Sequence, residues 1–407
     1  MNAEQMGTEQ ASSTIIKQWP VYLKELHARI AHRFLRPEVR ARAYRYLAAL
    51  LLGNLKRKNG WQMAEAIGEA TPRGVQHLLN DAHWEADEVR EGLRDYVAFH
   101  LGDQESGVLI VDETGFLKKG EKSVGVARQY TGTAGKRENC QVGVFLCYSS
   151  TKGAAFVDRE LYLPEEEWAY DPLRRGEAGV PQRVRFATKG EIAKAMLERA
   201  LEAGMPARWV VADTVYGTAR GLRGWLEERE CYYVLAVPET RGVYHQGSQR
   251  QAQMVACSLP EEAWIRASAG AGSKGDRLYD WACLALPDEP VFKTSSVDAG
   301  RWLLMRRGIE DSTEYAYYLA YGPAETPVEE LVRIAGRRWT IEDSFEAAKG
   351  EVGLDEYEVR KWDGWYRHIT LCLLAHAYLV VLRSVAEHDD EQGAAKGGTS
   401  IQISTPS

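Results

Sequence analysis

Val108-Leu-Ile-Val-Asp112 and, much later in the chain, Arg208-Trp-Val-Val-Ala-Asp213 are the two segments that decide the fold. Each is a short apolar run that ends in an aspartate, a pattern typical of a strand buried in a parallel sheet. Parallel neighbours present their carboxyl ends at the same sheet edge, where the sites of α/β proteins form. A single aspartate at such a position is often only a helix or turn cap. The pair together predicts that Asp112 and Asp213 meet at one edge.

The segments around these two runs predict the remaining sheet. Further strands are expected at Gln141–Tyr148, Ala155–Leu163, Tyr232–Val237, Trp302–Met305 and Tyr315–Tyr321. Helices are expected at 188–203, where Thr188 and Glu191 form a capping box, at 222–229, and as one long helix from Thr326 through Glu342. Three strands followed by helix-linked strands is the order of the ribonuclease-H-like fold. The predicted fold class is therefore α/β.

Glu342 lies in Arg338-Trp-Thr-Ile-Glu342-Asp-Ser-Phe-Glu-Ala-Ala-Lys349. Helical offsets of four and seven place Arg338, Glu342 and Lys349 on one face. An exposed ladder of ion pairs is the alternative interpretation of this spacing. In the predicted strand order the segment can also reach the two aspartates. Unpaired aspartates would repel each other, so a cation is their natural partner, and hard oxygen ligands favour Mg²⁺ or Mn²⁺.

The composition is that of a globular protein, with 45% hydrophobic and 27% charged residues among 407. The six cysteines contain no C-x-x-C pair, which argues against a zinc site and for a reducing cytoplasm. The first residues are polar and do not resemble a signal peptide. The apolar stretch Leu371–Leu382 is too short to cross a bilayer and predicts a buried helix.

Positive charge is concentrated near the start of a chain whose net charge is −7. Between Ala28 and Gly60, nine basic residues face the single acid Glu38. A local field of this kind favours phosphate binding, although a solvated helix face would show the same pattern. The residues predicted to contact DNA are Arg36, Arg40, Arg42, Arg45, Lys56, Arg57 and Lys58. The next segments, Gly60–Gly68 and Thr71–Leu79, predict two short helices, either a helix-turn-helix or a plain helical hairpin.

These patterns divide the chain into predicted domains. Residues 15–105 are expected to form a helical DNA-binding domain, and residues 106–238 with 301–385 a ribonuclease-H-like catalytic domain. Residues 239–300, rich in Gly, Ser and Gln, are expected to be an inserted, mostly-β segment. Residues 1–14 and 386–407 are polar and small and are expected to be disordered.

Several motifs closely resemble bacterial insertion-sequence transposases of the DDE superfamily, with the insertion sequence seven-hundred-one family as the nearest branch. They are the segments 58–65, 112–120, 125–135, 138–145, 212–217 and 357–370, and they include Asp112-Glu-Thr-Gly-Phe-Leu-Lys-Lys-Gly120. The likeness covers roughly residues 30–385. The related Tyr-x2-Arg-x3-Glu-x6-Lys signature maps to Arg338, Glu342 and Lys349, but its tyrosine position holds Ala335.

The resemblance implies an enzyme that cuts DNA at the ends of a mobile element and joins the freed 3′-hydroxyls to target DNA. It implies that Asp112, Asp213 and Glu342 hold two divalent ions, and that Arg338 and Lys349 bind phosphates. The expected partners are terminal inverted repeats, target DNA and a second copy of the chain, with no nucleotide cofactor and no membrane. A DNA-binding regulator without cleavage and a ribonuclease-H-like nuclease or resolvase remain alternatives.

Overall fold

The computed structural model describes residues 19–52, 55–272, 275–286, 298–311 and 313–397, without the side chains of Arg220 and of residues 389–397. The predictions of disorder at residues 1–14 and 398–407 lie outside the described residues. Residues 386–397, for which disorder is also predicted, continue the last helix of the chain.

The helices and strands have the following bounds. The helices are α1 (19–30), α2 (Pro37–Leu50), α3 (Gly60–Ala66), α4 (Arg73–Asn80), α5 (Ala86–Leu101), α6 (Pro172–Glu177), α7 (Lys189–Glu202), α8 (Thr214–Gly217), α9 (Arg220–Glu228), α10 (Ala252–Ser258), α11 (Val328–Gly336), α12 (Trp339–Val352) and α13 (Trp362–Gly397). The strands are β1 (Val108–Leu117), β2 (Ala127–Thr131), β3 (Lys136–Ser150), β4 (Gly153–Tyr162), β5 (Trp209–Ala212), β6 (Tyr232–Val237), β7 (Gly242–His245), β8 (Ser248–Gln251), β9 (Ile265–Gly272), β10 (Gly275–Ala285), β11 (Ala299–Arg307) and β12 (Tyr315–Pro323).

One large mixed sheet organises the protein, in the order β2-β3-β1-β5-β6-β12-β11-β10-β9, with β4 also pairing with β3. The pairs β1–β5 and β5–β6 are parallel, and the other pairs are antiparallel. β1 pairs with β5 only from Val108 to Val111. From Asp112 onward, that edge of β1 is therefore free of its parallel neighbour.

The segment 239–300 is less separate than the sequence indicates. It contains the small β7–β8 sheet, but β9 and β10 extend the large sheet through the pairing of β10 with β11. Tyr279 of β10 stacks on Trp339 of α12, with ring centroids 6.2 Å apart and nearly parallel planes. The segment thus supports the helix that carries Glu342.

Helix α13 lies at the centre of the core and joins the N-terminal helices to the sheet. The hydroxyl of Tyr46 on α2 and Nδ1 of His368 on α13 are 2.8 Å apart, and Arg367 donates to the carbonyls of Leu79 and Trp84. Within the described residues, Trp362–His388 is the one helix long and apolar enough to span a membrane, yet most of its apolar window is buried inside the protein. The prediction of a buried helix at Leu371–Leu382 is confirmed.

Two helix predictions had different outcomes. The capping box of α7 is confirmed, since the Thr188 hydroxyl accepts from the Glu191 amide and the Glu191 carboxylate accepts from the Thr188 amide. The single long helix through Glu342 is wrong, because α11 ends at Gly336 and α12 begins at Trp339. A Cβ at Gly336 would lie 1.9 Å from the carbonyl oxygen of Ala269, so α11 ends hard against β9. The break leaves Arg338 at the start of α12.

Candidate active site

Asp112 and Asp213 occupy equivalent positions on neighbouring parallel strands. Val111 pairs with Ala212, so the two aspartates are the next residue on each strand, where neighbouring strands lie about 4.8 Å apart. Asp213 also caps α8 by accepting from the amide of Val215 at 2.9 Å. The cap and the paired carboxylates, which the sequence presents as competing interpretations, are both present.

The electrostatics of this pair favour a cation. Burial, followed by the charge of Asp213, raises the pKa of Asp112 to about 7. Burial, followed by the charge of Glu113, raises the pKa of Asp213 above its ordinary value. Two carboxylates whose charges repel each other are strongly stabilised when a metal ion neutralises them.

Arg338 connects Glu342 to this pair. Its guanidinium lies 2.7 Å from Glu342 Oε1 and 3.8 Å from Asp112 Oδ2. Burial disfavours its charge, but Glu342 and Asp112 outweigh that cost and hold the pKa of Arg338 above its usual value. The structure thus brings Asp112 and Asp213 together and connects Glu342 to Asp112 through a cation of the protein.

The donor set suits a hard divalent ion, although it is not drawn together into a finished metal site. Among the described residues, no three His, Cys, Asp or Glu side chains are grouped closely enough to hold a metal. All three carboxylates nevertheless offer hard oxygen ligands, and the two aspartates repel each other. Asp112, Asp213 and Glu342 therefore fit Mg²⁺ or Mn²⁺ by their chemistry.

Lys349 follows Glu342 along α12 and approaches the same strand as Asp112. Its ammonium donates to the Thr114 hydroxyl at 2.8 Å, and burial lowers its pKa. Thr133, in the turn between β2 and β3, donates to the Gly115 carbonyl at 3.2 Å and lies 3.4 Å from the Thr114 hydroxyl. Thr114 was missed by the sequence analysis, but the period of two in a strand places it on the same face as Asp112.

Glu113 is a fourth carboxylate that the sequence analysis also missed. It accepts from the Tyr216 hydroxyl at 2.9 Å and forms an ion pair with Lys189 at the start of α7. Tyr216 lies in α8, directly after Asp213 and its cap. Glu113 therefore holds the middle of β1 against α8, the helix that Asp213 caps. Its place next to Asp112 was the only available signal.

The residues of the N-terminal basic run do not form one surface. Lys58 is buried, and its ammonium binds the carbonyls of Leu50 and Glu351. Arg40 donates to the carbonyls of Ala31 and Phe34. The charged groups of both residues are held by backbone carbonyls, and their contact with DNA stays a prediction.

The other predicted contacts of this run differ in how free they are. Arg42 and Arg45 share the carboxylate of Glu69, at 2.9 and 3.5 Å. The remaining three predicted contacts are exposed: Arg36, Lys56 and Arg57. The sequence shows how many basic residues this segment contains, but it does not show which of them pair with a carboxylate.

Comparison with known proteins gives matches over most of the chain. Residues 29–256 match the family described as DDE superfamily endonuclease, and residues 187–378 match the family described as Transposase DDE domain. The chain is 26% identical over 338 residues to the probable transposase for insertion sequence element IS701 of Microchaete diplosiphon. That alignment covers 81% of this chain and 80% of the relative.

Proposed function

This chain belongs to the DDE superfamily of endonucleases and is a transposase of that superfamily, and we propose that Asp112, Asp213 and Glu342 are its catalytic carboxylates. The observation that carries the proposal is the meeting of Asp112 and Asp213 where the parallel pairing of β1 with β5 ends, with Arg338 linking Asp112 to Glu342. No other assembly described above combines repelling carboxylates with cationic side chains suited to a phosphate.

The strand order supports a ribonuclease-H-like core. β4, β3 and β1 are consecutive antiparallel neighbours, and β5 and β6 continue the sheet in parallel with β1. This is the arrangement that the order of the predicted strands suggested. The helical residues before β1 would then serve DNA binding, with Arg36, Lys56 and Arg57 as their exposed cations.

The three carboxylates would hold two Mg²⁺ or Mn²⁺ ions. When bound, such ions activate the attacking oxygen and stabilise the charge that develops on the leaving oxygen of a phosphodiester. Arg338 would release Glu342 and turn its planar guanidinium to a phosphate, which it can bind with two hydrogen bonds. Lys349, held by Thr114, would bind a neighbouring phosphate and fix the register of the DNA strand.

The proposed reaction is cleavage at the terminal inverted repeats of an element, followed by attack of each freed 3′-hydroxyl on target DNA. Both steps displace one oxygen at phosphorus by another, so one set of carboxylates can serve both. Two element ends must be brought together, which favours a homodimer on DNA. The substrate places the enzyme in the bacterial cytoplasm, at the nucleoid.

A strand-transfer assay tests this proposal. Purified protein, Mg²⁺, a labelled duplex bearing an element end and a supercoiled plasmid should yield labelled plasmid. Glu342→Gln should bind the duplex with unchanged affinity and yield no product, whereas Glu346→Gln, an exposed residue of the same helix, should match the unaltered protein. Cleaved ends without joined product would favour a nuclease, and joining by Glu342→Gln would exclude the assigned site.

A further inference from the structure

Two adjoining clefts lie beyond the ends of β1 and α12, each with a volume of about 620 Å³. They share Glu121, Lys122 and Arg360 in their walls. We name seven of their eight cationic residues the basic cleft: Arg57, Lys118, Lys119, Lys122, Arg128, Arg360 and Lys361. The eighth, Arg174, already donates to the backbone carbonyls of Glu121, Val126 and Glu167. We propose that the basic cleft binds the DNA duplex that leads away from the catalytic carboxylates, an inference that rests on the proposed function.

The cations of the basic cleft lack carboxylate partners. Within the part of the chain that the structure describes, none of the seven has a carboxylate oxygen within 4.0 Å, whereas Arg33, Arg42 and Arg45 of the N-terminal run are all in ion pairs. All of them except Lys118 are exposed. In a chain with a net charge of −7, unpaired cations around one depression mark the place where an anion would bind with least competition.

Acidic residues also line the two clefts, and some of them are already engaged. Glu356 accepts from the amide of Lys58, and Glu358 accepts from the side chain of Asn59 at 3.3 Å. The acidic members of the two walls are Glu121, Glu167, Glu177, Asp355, Glu356 and Glu358. These acidic residues weaken the attraction of the clefts for a single anion. A partner with closely spaced negative charges is still attracted, because it can reach several cations at once.

The surroundings of Lys118 are a second, independent indication that the basic cleft binds a phosphate. Its ammonium lies 3.6 Å from the centre of the Tyr357 ring, and its one hydrogen bond is a long contact of 3.4 Å to the Tyr357 carbonyl. Burial lowers the pKa of Lys118 to about 8. A half-buried ammonium that faces a cleft and lacks a strong acceptor is stabilised by an incoming phosphate oxygen.

The position of the basic cleft sets the register of the DNA. Five residues of strand from Asp112 to Leu117 span roughly 17 Å at about 3.3 Å per residue. Ten residues of helix from Glu342 to Val352 span about 15 Å in the same element that carries Lys349. At a rise of about 3.4 Å per base pair, the basic cleft begins about five base pairs from the cut. Lys349 lies between the two regions.

Double-stranded DNA is the partner that this arrangement fits. Contacts to phosphates position a duplex and do not read its sequence, so the basic cleft would fix where the helix axis runs. Recognition of the repeat sequence would be left to other parts of the protein. The predicted contribution is to affinity and register, with a strong dependence on salt.

The test uses the quadruple variant Lys119→Gln, Lys122→Gln, Arg360→Gln and Lys361→Gln in the full chain, without divalent metal. Fluorescence anisotropy of a labelled element-end duplex is measured across a NaCl series, together with hydroxyl-radical footprinting. We expect the slope of log affinity against log salt to fall by about 3 to 4, since each phosphate contact contributes about 0.9. Footprint protection should be lost from about five base pairs beyond the cut and retained at the cut.

The control is a double variant, Arg229→Gln and Arg266→Gln, which removes two exposed charges that already pair with Glu198 and Asp280. Its effect is compared per charge removed. The double variant should leave slope and footprint unchanged. An unchanged slope in the quadruple variant, or equal losses in the control, would overturn the basic cleft as the DNA groove. Absence of binding by the unaltered protein would instead count against the proposed function, so the two failures are distinguishable.

Discussion

Replacing Asp112 by asparagine is expected to stabilise the metal-free protein while removing its chemistry. Asp112 is a carboxylate with a side chain that is 14% exposed, next to Asp213, and its pKa rises from 3.8 to about 7. A carboxyl whose pKa is raised by folding adds stability below its unfolded pKa, and that stability is lost as the pH rises through the folded value. Above pH 7 the charged Asp112 therefore opposes folding.

The size of the effect follows from the pKa. At about 1.4 kcal/mol per pKa unit, a rise from 3.8 to about 7 corresponds to roughly 4 kcal/mol at alkaline pH. Arg338 and the Glu113 amide favour the charged form and are already included in that pKa. Asparagine keeps the shape and the oxygen but carries no charge, so Asp112→Asn should regain about 2 to 4 kcal/mol at pH 8 and almost nothing at pH 4.

Denaturant unfolding in EDTA at pH 8 and pH 4 measures this difference. Asp343→Asn serves as control, since Asp343 is exposed on α12 and its nearest cation, Arg277, is 3.9 Å away. Addition of Mn²⁺ at pH 8 should reverse the ranking, because the ion stabilises only the protein that binds it. Equal stability of Asp112→Asn and the unaltered protein at both pH values would refute the reasoning about repulsion at the site.

Three further predictions concern single side chains. In Arg338→Lys, the lysine lacks the planar fork that can bind Asp112 and a phosphate together. Cleavage should therefore fall about 100-fold in single-turnover assays, with little change in the free energy of unfolding. Unchanged cleavage would limit Arg338 to a structural role. Thr114→Val removes the hydroxyl that holds Lys349 and should lower kcat/KM for cleavage about ten-fold. A variant as fast as the unaltered protein would show that Lys349 does not need this hydrogen bond. Burial lowers the pKa of His376 to about 4, so its contribution to stability is present above pH 6.5 and is lost as the pH falls. Relative to the unaltered protein, His376→Leu should gain about 2 kcal/mol between pH 7.5 and 5 in urea unfolding, and a constant difference would contradict burial of the neutral ring.

Local patterns predicted the juxtaposition of Asp112 and Asp213. Hydrophobic runs that end in aspartate identify buried parallel strands, and strand geometry then brings Asp112 and Asp213 together. Glu342 could be predicted from the sequence because its helix is amphipathic and its spacing from Arg338 is helical. These predictions depend on periodicity within one element, which a sequence displays directly.

The failures concern contacts between distant segments. The helix break before Arg338 lies where Gly336 approaches the backbone of Ala269, a contact that no local pattern reveals. Burial of the Lys58 ammonium depends on the carbonyl of Glu351, far along the chain. The number of basic residues in the N-terminal run could be counted from the sequence. Which of those side chains are left without a carboxylate depends on partners such as Glu69.

Metal-dependent nicking of an element-end duplex by three single variants tests the central assignment most directly. Asp112→Asn, Asp213→Asn and Glu342→Gln are each predicted to bind the duplex as tightly as the unaltered protein and to leave it uncut in Mg²⁺ or Mn²⁺. Normal nicking by any one of the three would contradict the assignment of that carboxylate. Normal nicking by all three would place the chemistry elsewhere in the protein.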